Sequence, residues 1–536
     1  MVALTEFMVA LFVDRSRGEA YQDRRYSWKG VYHTLGTGIG NVSIHAIDWV
    51  LVGLYFAGMF YVGYWSYRKV KEFEDFLVAG RALTLPILVG TLMASYYCGM
   101  YFFADAGLMY SEGTSADIFY YPPYYILMIL MSFFLMTRLR VLGDLSLPDV
   151  LERFYGKVTR FFGAIGSFFY CVPVMQLMAC GVVFNVLLGW PAWLGALVGG
   201  LFAVVYTLLG GLWAVAVTDM IQFALMFSGI VIALPIALGA AGGWGNILSL
   251  NPEWHLDPLG SFTSLIILGV YAASSLTLLV EPAFYQRFFA ARDHKTALRA
   301  FMAMVCFWLF VDRILVSIGL VAWSKYPGFA IPIDEAVFTT ILHYLPYGLS
   351  GFFVAGVFAG IMSTIDSYTL IGAANISYDI VKKIFKPDLS EERTLWLTRV
   401  MVVATFALSF GLMFIFPRIM MVWLLQAAIL TSVAVIPILG AFFWPFRKSA
   451  FGGTLSSLVG FAVTLAYIVA IMVFGTPVPG WDTIIWEINI FGTTIHFWAE
   501  MVMYVAIFAS FLAYIVGNFF GPPIDPKLYR KRRALG

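Results

Sequence analysis

Stretches of about twenty apolar residues recur along almost the whole chain, and that repetition leaves few folds open. Hydrocarbon offers no partner to a backbone N–H or C=O, so runs of this length are read as membrane-crossing helices that pair those groups internally. Composition agrees: of 536 residues, 61% are hydrophobic and only 12% charged, with a mean hydropathy of +0.85. Soluble domains carry about twice that share of charge. The expected fold class is therefore an all-α polytopic membrane protein. Cys98, Cys171, Cys180 and Cys306 all fall inside apolar segments and read as small core residues. No P-loop, GxSxG or HExxH pattern occurs and the six histidines are scattered, so neither an enzyme nor a nucleic-acid binder is expected.

The distribution of Lys and Arg orients the spans. The first convincing one, about 47–65, is closed by Arg68, Lys69 and Lys71, and basic residues directly after a span mark the cytoplasmic side. Further spans are predicted at about 85–110, 118–136, 161–188, 190–209, 212–238, 261–283, 300–323, 351–383, 395–416, 420–444, 452–474 and 495–519, with a tight turn at Gly210-Gly211. Alternating through these about thirteen spans puts Arg138 and Arg140, Arg292 to Arg299, Lys382 and Lys383, Arg447 and Lys448, and the Lys527–Arg533 tail on one face. The N-terminus is then outside and the C-terminus cytoplasmic, in a plasma (inner) membrane. Residues 1–45 are the least informative; Val2–Val13 is apolar but too short to span. Gln286 and Arg287 read as a solvated helix end.

The most unusual span begins at Gly351. In its second half Gly360, Ser363, Thr364 and Ser367 stand at i, i+3, i+4 and i+7, one helical stripe, with Asp366 beside it. A carboxylate deep in hydrocarbon costs roughly 2.5–3.5 kcal/mol and needs a partner, yet no Lys or Arg is near in sequence. Hydroxyls with one carboxylate suit a small hard cation, which takes oxygen ligands. The plainer alternative is that the hydroxyls bond back to carbonyls and pack the helix against a neighbour. Asp219 lies about two turns beyond Gly210-Gly211, which weakens its reading as a local cap.

Three motifs together resemble the sodium:solute symporter family, the group of proline, choline, pantothenate, sugar and sialic acid transporters. They are Gly210-Gly-Leu-Trp-Ala-Val-Ala-Val-Thr-Asp219-Met-Ile-Gln222, Gln286-Arg-Phe-Phe-Ala-Ala-Arg292, and Ala359-Gly-Ile-Met-Ser-Thr-Ile-Asp-Ser367. The resemblance implies a LeuT-like core of two inverted five-helix repeats, here 84–241 and 261–448. A segment 1–45 and an extra helix 46–72 precede it; two helices (451–520) and a cytoplasmic tail (521–536) follow. The first helix of each repeat is then broken near the midplane. Carried over residue by residue, the family's main sodium site would use the carbonyls of Ala94, Tyr97 and Gly360 and the hydroxyls of Ser363 and Thr364. A second sodium site, present in some members, would use Asp219, Ser363, Asp366 and Ser367. In the seventh span this chain has Ser274-Ser-Leu-Thr-Leu-Leu-Val-Glu281-Pro282 where relatives often carry glycines, so its break must rest on Pro282 and on the Ser and Thr residues.

The implied activity is sodium-coupled symport of a small polar organic solute by alternating access. Tyr96, Tyr101, Phe102, Asp105, Tyr170, Gln176, Glu281 and Trp423 are the solute-contact candidates. Aromatic faces beside an acid suit an amine, amino acid or other zwitterion through cation–π contact, although with 18% aromatic residues such clusters are commonly packing. Partners are the solute, the sodium ion and the bilayer, with no obligate protein partner. The alternatives are proton coupling through Asp219, Asp366 or Glu281, and a transporter-like sensor, for which the short tail after the last span leaves no signalling domain.

Overall fold

The computed structural model describes residues 44–67, 79–97, 99–259, 269–270, 272–416, 419–478, 483–490 and 493–529. The expectations for residues 1–43, Cys98 and the basic end of the tail lie outside them. Among the described residues, nine helices are long and apolar enough to cross a membrane, or ten if one bent pair counts as a single span.

That bent pair is α2 (Leu85–Tyr96) with a wide turn at Tyr101–Asp105 that leads into α3 (Ala106–Glu112); the two halves meet at 59°. The helix ends where Tyr97 swings to ψ 68°. A Cβ on Gly99 would stand 2.7 Å from the Ile361 side chain and 3.0 Å from that of Ala179, so the chain passes between neighbours that leave room only for glycine. After α1 (Ala46–Tyr67) and this pair, α4 (Thr114–Leu130) continues through further helical turns to Leu142. Next come α5 (Leu147–Tyr155), α6 (Lys157–Tyr170) and α7 (Val174–Leu188).

At Gly210-Gly211 the structure departs from expectation. α8 runs unbroken from Ala192 to Ala240, 49 residues, so two expected spans share one helix. The second break falls where Pro282 predicted it. A short tight helix, Ser275–Val280, stops at Glu281 (ψ 111°), and Pro282 opens α9 (Pro282–Ala290). Proline fits that first position because the N–H it lacks has no helical partner there. The Glu281 carboxylate caps the new helix by accepting from the Ala283 N–H at 3.3 Å.

α10 (His294–Lys325) and the short α11 (Ile333–Tyr344) lead to α12 (Leu349–Ala374), which extends through wide helical turns to Phe385. Nearly every side chain of α12 is buried, and it packs chiefly on α8, on the helix Glu391–Leu412 and on α1, and also on α2. Its N-terminus is capped from another helix. Asp48 of α1 accepts from the N–H groups of Gly348 and Gly351, each at 2.7 Å. At the far end, buried Arg160 of α6 pairs with Asp149 and Asp379 and with Glu152, joining α5, α6 and the extension of α12.

α13 (Glu391–Leu412), α14 (Ile419–Phe443), α15 (Ala450–Phe474) and α16 (Val502–Asn518) complete the helices. Between α15 and α16 an antiparallel sheet forms from β1 (Thr476–Val478), β2 (Thr483–Ile490) and β3 (Thr493–Trp498), with Trp486 opposite Phe497. The last span therefore begins after Trp498, not at Ile495. The alternation in Trp-Glu-Ile-Asn-Ile and in the Thr493–Trp498 run has the period of a strand.

Candidate functional site

The expected ion ligands meet where α12 passes the first break. Ser363 Oγ donates to the Ala94 carbonyl at 2.8 Å and to the Gly360 carbonyl at 3.1 Å. Thr364 Oγ1 donates to the Gly360 carbonyl at 3.1 Å and to that of Ser95 at 3.3 Å. The Tyr97 carbonyl also approaches Gly360, 3.3 Å from where a Cβ on it would stand. The end of α2 explains the arrangement: its last carbonyls have no i+4 amide to accept from and so remain available. The hydroxyls of Ser363 and Thr364 thus meet the carbonyls of Ala94, Ser95 and Gly360 in buried surroundings. A donor set made only of neutral oxygens suits a hard alkali ion and not a soft metal.

Of the second set, Asp219 and Ser367 are drawn together around a charge of the protein's own, while Ser363 bonds to the first set. Asp219 Oδ2 accepts from Thr91 at 2.5 Å and Ser95 at 3.2 Å. Arg287 Nη2 lies 3.4 Å from the same oxygen and donates to Ser367 Oγ at 2.7 Å and to Ser95 Oγ. Its Nε donates to Thr91 Oγ1 at 3.0 Å. Arg287 is fully buried and Gln286 nearly so, which corrects their reading as a solvated end. The side chain folds back along α9 into the core because Asp219 waits there; an unpaired buried carboxylate is costly. Asp366 is also fully buried, within electrostatic range of Tyr55, whose hydroxyl accepts from Gln222 at 3.0 Å.

The solute candidates fall into three places. Tyr96 and Tyr101 pack on Trp308, with ring centroids 4.7 and 5.9 Å away; Tyr101 also stacks on Tyr97 at 4.1 Å. Asp105, in this same region, is fully buried and accepts from Tyr120 at 3.2 Å, and Trp423 meets the Tyr120 ring edge-on at 6.3 Å. Tyr170 and Glu281 gather around Tyr368, whose hydroxyl donates to Glu281 at 2.9 Å. Tyr124, edge-on to Tyr120 at 5.1 Å, bonds to Ser274, hydroxyl to hydroxyl at 2.7 Å, and lies in electrostatic range of Glu281. Phe102 stands apart, against Phe353 and Gly360 on the ion side. Gln176 is buried, and its Oε1 has no partner among the described residues.

Sequence reasoning missed Thr91, Ser95, Trp308 and Asp312. Asp312 is fully buried in mid-helix and accepts from Tyr97 and Tyr125. A carboxylate in the middle of an apolar span is itself a functional signal, and the Asp312-Arg313 pair within 300–323 carried it.

Comparison with known proteins bears on the family and the fold. The model of the sodium:solute symporter family matches residues 76–460. The High-affinity proline transporter PutP of Bacillus subtilis (strain 168) is 24% identical over 65% of this chain and 76% of its own length. The High-affinity choline transporter 1 of Drosophila melanogaster is 24% identical over 78% and 70%. The human Sodium-coupled monocarboxylate transporter 1 is 27% identical over 73% and 68%. Among solved structures, the substrate-bound outward-open state of a Na+-coupled sialic acid symporter superposes with a TM-score of 0.72 at 16% identity, covering 90% of this chain and 99% of that one. Mhp1, a nucleobase-cation-symport-1 family transporter, superposes at 0.53 and 13% identity over 82% and 93%. With the family model spanning well over half of its length, the chain belongs to the sodium:solute symporter family.

Proposed function

We propose that sodium binds among the carbonyls of Ala94, Tyr97 and Gly360 and the hydroxyls of Ser363 and Thr364, and that its binding sets the conformation that accepts solute. The protein is an integral membrane transporter that couples a small solute to sodium, as its family does. The convergence of α12 hydroxyls on carbonyls of the broken α2 carries the reading. On binding, each hydroxyl turns its lone pairs inward and gives its hydrogen to a neighbour, and the carbonyls already point there.

In this scheme sodium enters from outside and bridges α2 and α12. Solute then settles between the two aromatic groups, and the repeats (84–241 and 261–448) rock about the filled site. The Arg160 cluster with Asp149, Glu152 and Asp379 holds the cytoplasmic end shut until that step. The membrane is the plasma (inner) membrane, with the N-terminus outside and the C-terminus cytoplasmic, as the basic loops indicate. One charge moving down about 100 mV yields roughly 2.3 kcal/mol. A tenfold sodium gradient adds about 1.4 kcal/mol. Together they support accumulation of roughly several hundred-fold.

The solute reading is an amine, amino acid or other zwitterion. Its support is the ring of Tyr96, Tyr101, Tyr120 and Trp308 around Asp105, where a cationic nitrogen would meet π faces and a carboxylate. The second ion set of Asp219, Ser363, Asp366 and Ser367 could take sodium only with Arg287 withdrawn, so one sodium per cycle is proposed. The test is uptake of labelled amino acids and amines into proteoliposomes under an imposed sodium gradient. Uptake is expected only with the gradient; equal uptake in sodium-free buffer with or without a pH step would overturn sodium coupling.

A further inference from the structure

The segment that follows α8 folds into two short helices, Gly243–Leu250 and Glu253–Leu256, and its histidine, His255, is fully buried. Nδ1 of the ring lies 2.7 Å from Asn251 Oδ1, and Nε2 lies 3.1 Å from the Tyr110 carbonyl oxygen. Both partners are acceptors. The Asn251 amide cannot be turned over, because its Nδ2 donates to the carbonyls of Ile247 at 2.8 Å and of Leu320 at 3.1 Å. A neutral imidazole has one N–H, so either tautomer would set a bare lone pair against an oxygen. Only the imidazolium donates to both.

The surroundings suit that charge. Tyr110 stands in the last turn of α3, where carbonyls lack helical amides and the helix dipole is negative. The Trp323 indole lies 4.7 Å from the ring between centroids, 32° from parallel, and Trp254 meets it edge-on at 5.1 Å. The ring also packs on Gly113 (φ 65°), where a Cβ would stand 2.6 Å from it. Glu253 and Asp257 flank His255 in sequence, Glu112 adjoins Gly113, and Asp117 lies in the first turn of α4. Against these acids stand Lys325, which packs over Tyr344 at the end of α10, and Arg313, which pairs with Asp117. The phenol of Tyr110 is engaged by the Tyr326 carbonyl at 2.6 Å. With the Arg313–Asp117 pair balanced, acids outnumber the remaining cation. A buried cation is costly unless its donors are met, and here charge-assisted bonds meet both.

We propose that His255 is a proton site on the outer face, charged at neutral pH, that clamps the outer half of the broken first helix to the segment after α8 and to α10. Each tie reaches a different element. The Tyr110 carbonyl belongs to α3, Asn251 carries the link on to Leu320 of α10, and Thr114 Oγ1 of α4 donates to the His255 carbonyl at 3.2 Å. Loss of one ring proton turns one of the two ring bonds into a repulsion, and the clamp loosens. External acidity then sets how firmly α3 is held. None of these residues belongs to the proposed ion or solute groups, so the inference goes beyond the transport reading. Its outer placement rests on the proposed orientation; the proton site itself does not.

Nitrogen NMR of the imidazole reads the charge directly. In a full-length protein with His33, His45, His294, His343 and His496 replaced by Gln, His255 is the single imidazole. At about pH 7.5, above the ordinary imidazole value of about 6.5, both ring nitrogens should carry protons. A single N–H there overturns the charge. Hydrogen–deuterium exchange of the amides in Gly243–Leu256 reads the clamp and needs no variant to begin. Protection should be full while the proton is held and lost as pH rises past its release. After correction for the intrinsic rate, exchange should quicken by about tenfold or more between about pH 7 and about pH 10, as loss of a hydrogen bond to a charged group implies. His255→Gln should exchange at the quick rate throughout. Unchanging protection in the wild type, or a pH dependence kept in His255→Gln, overturns the clamp. Neither readout involves sodium or transport, so failure here leaves the sodium reading untouched.

Discussion

Arg287 and Asp219 form a fully buried ion pair, Nη2 to Oδ2 at 3.4 Å, that sits where sequence alone placed a second ion. Thr91, Ser95 and Ser367 complete the surroundings of the guanidinium. Removing one partner of such a pair leaves a bare charge and typically costs about 3–5 kcal/mol. Arg287→Gln and Asp219→Asn should therefore each lower the melting temperature sharply, with the double variant more stable than the sum of the two losses predicts. Additive losses would show that the two side chains act independently.

With Arg287 in place, sodium stimulation of transport should follow a simple hyperbola, with a Hill coefficient near one. A value near two, measured from initial uptake rates against sodium concentration, would require a second ion beside the guanidinium and would sink the one-sodium stoichiometry.

Ser363→Ala and Thr364→Ala each delete an oxygen from the proposed sodium site and leave its carbonyls untouched. Losing a hydrogen-bond-like ligand to a charged group is worth about 1.5–3 kcal/mol. The sodium concentration for half-maximal uptake should accordingly rise by about tenfold or more, with a smaller change in maximal rate. A lowered maximal rate at unchanged sodium dependence would place these hydroxyls outside the ion's reach.

Glu335, on α11 and outside the spanning helices, supplies a pH test. Burial, with Asp334 adjacent, pushes its carboxyl from the ordinary 4.5 up to about 7. Between those values the folded protein keeps the proton and the unfolded chain has released it, so stability falls as pH rises through that window and levels off above it. The full effect is worth about 3 kcal/mol. Glu335→Gln should raise the melting temperature at about pH 8 and change it little at about pH 4; an equal shift at both would show that protonation is not involved.

The proposed ion site could be put forward from the sequence because its chemistry is local. A Gly, Ser and Thr stripe on an apolar helix repeats at helical spacing, and one helix supplies three of the five donors. Arg287 was not legible. A basic residue after an apolar run has the pattern of a cytoplasmic flank, and its partner lies 68 positions away in another helix. Gly210-Gly211 misled in the other direction: glycine permits a turn but does not force one, and α8 stays helical through it. The sheet at residues 476–498 was hidden because its strands adjoin true spans in composition, and only their two-residue period sets them apart. Asp312 was visible as an anomaly, but its bond to Tyr97 joins positions 215 apart, and no spacing rule records that.

Asp48 gives the first helix a part in the order of assembly. The two amides it receives belong to residues 300 and 303 positions later. During synthesis α1 is therefore in the bilayer long before the segment it completes has left the ribosome. Its carboxylate must wait, hydrated or protonated, until α12 arrives. The last step in seating α12 thus depends on a helix inserted far earlier in synthesis, 300 positions back along the chain.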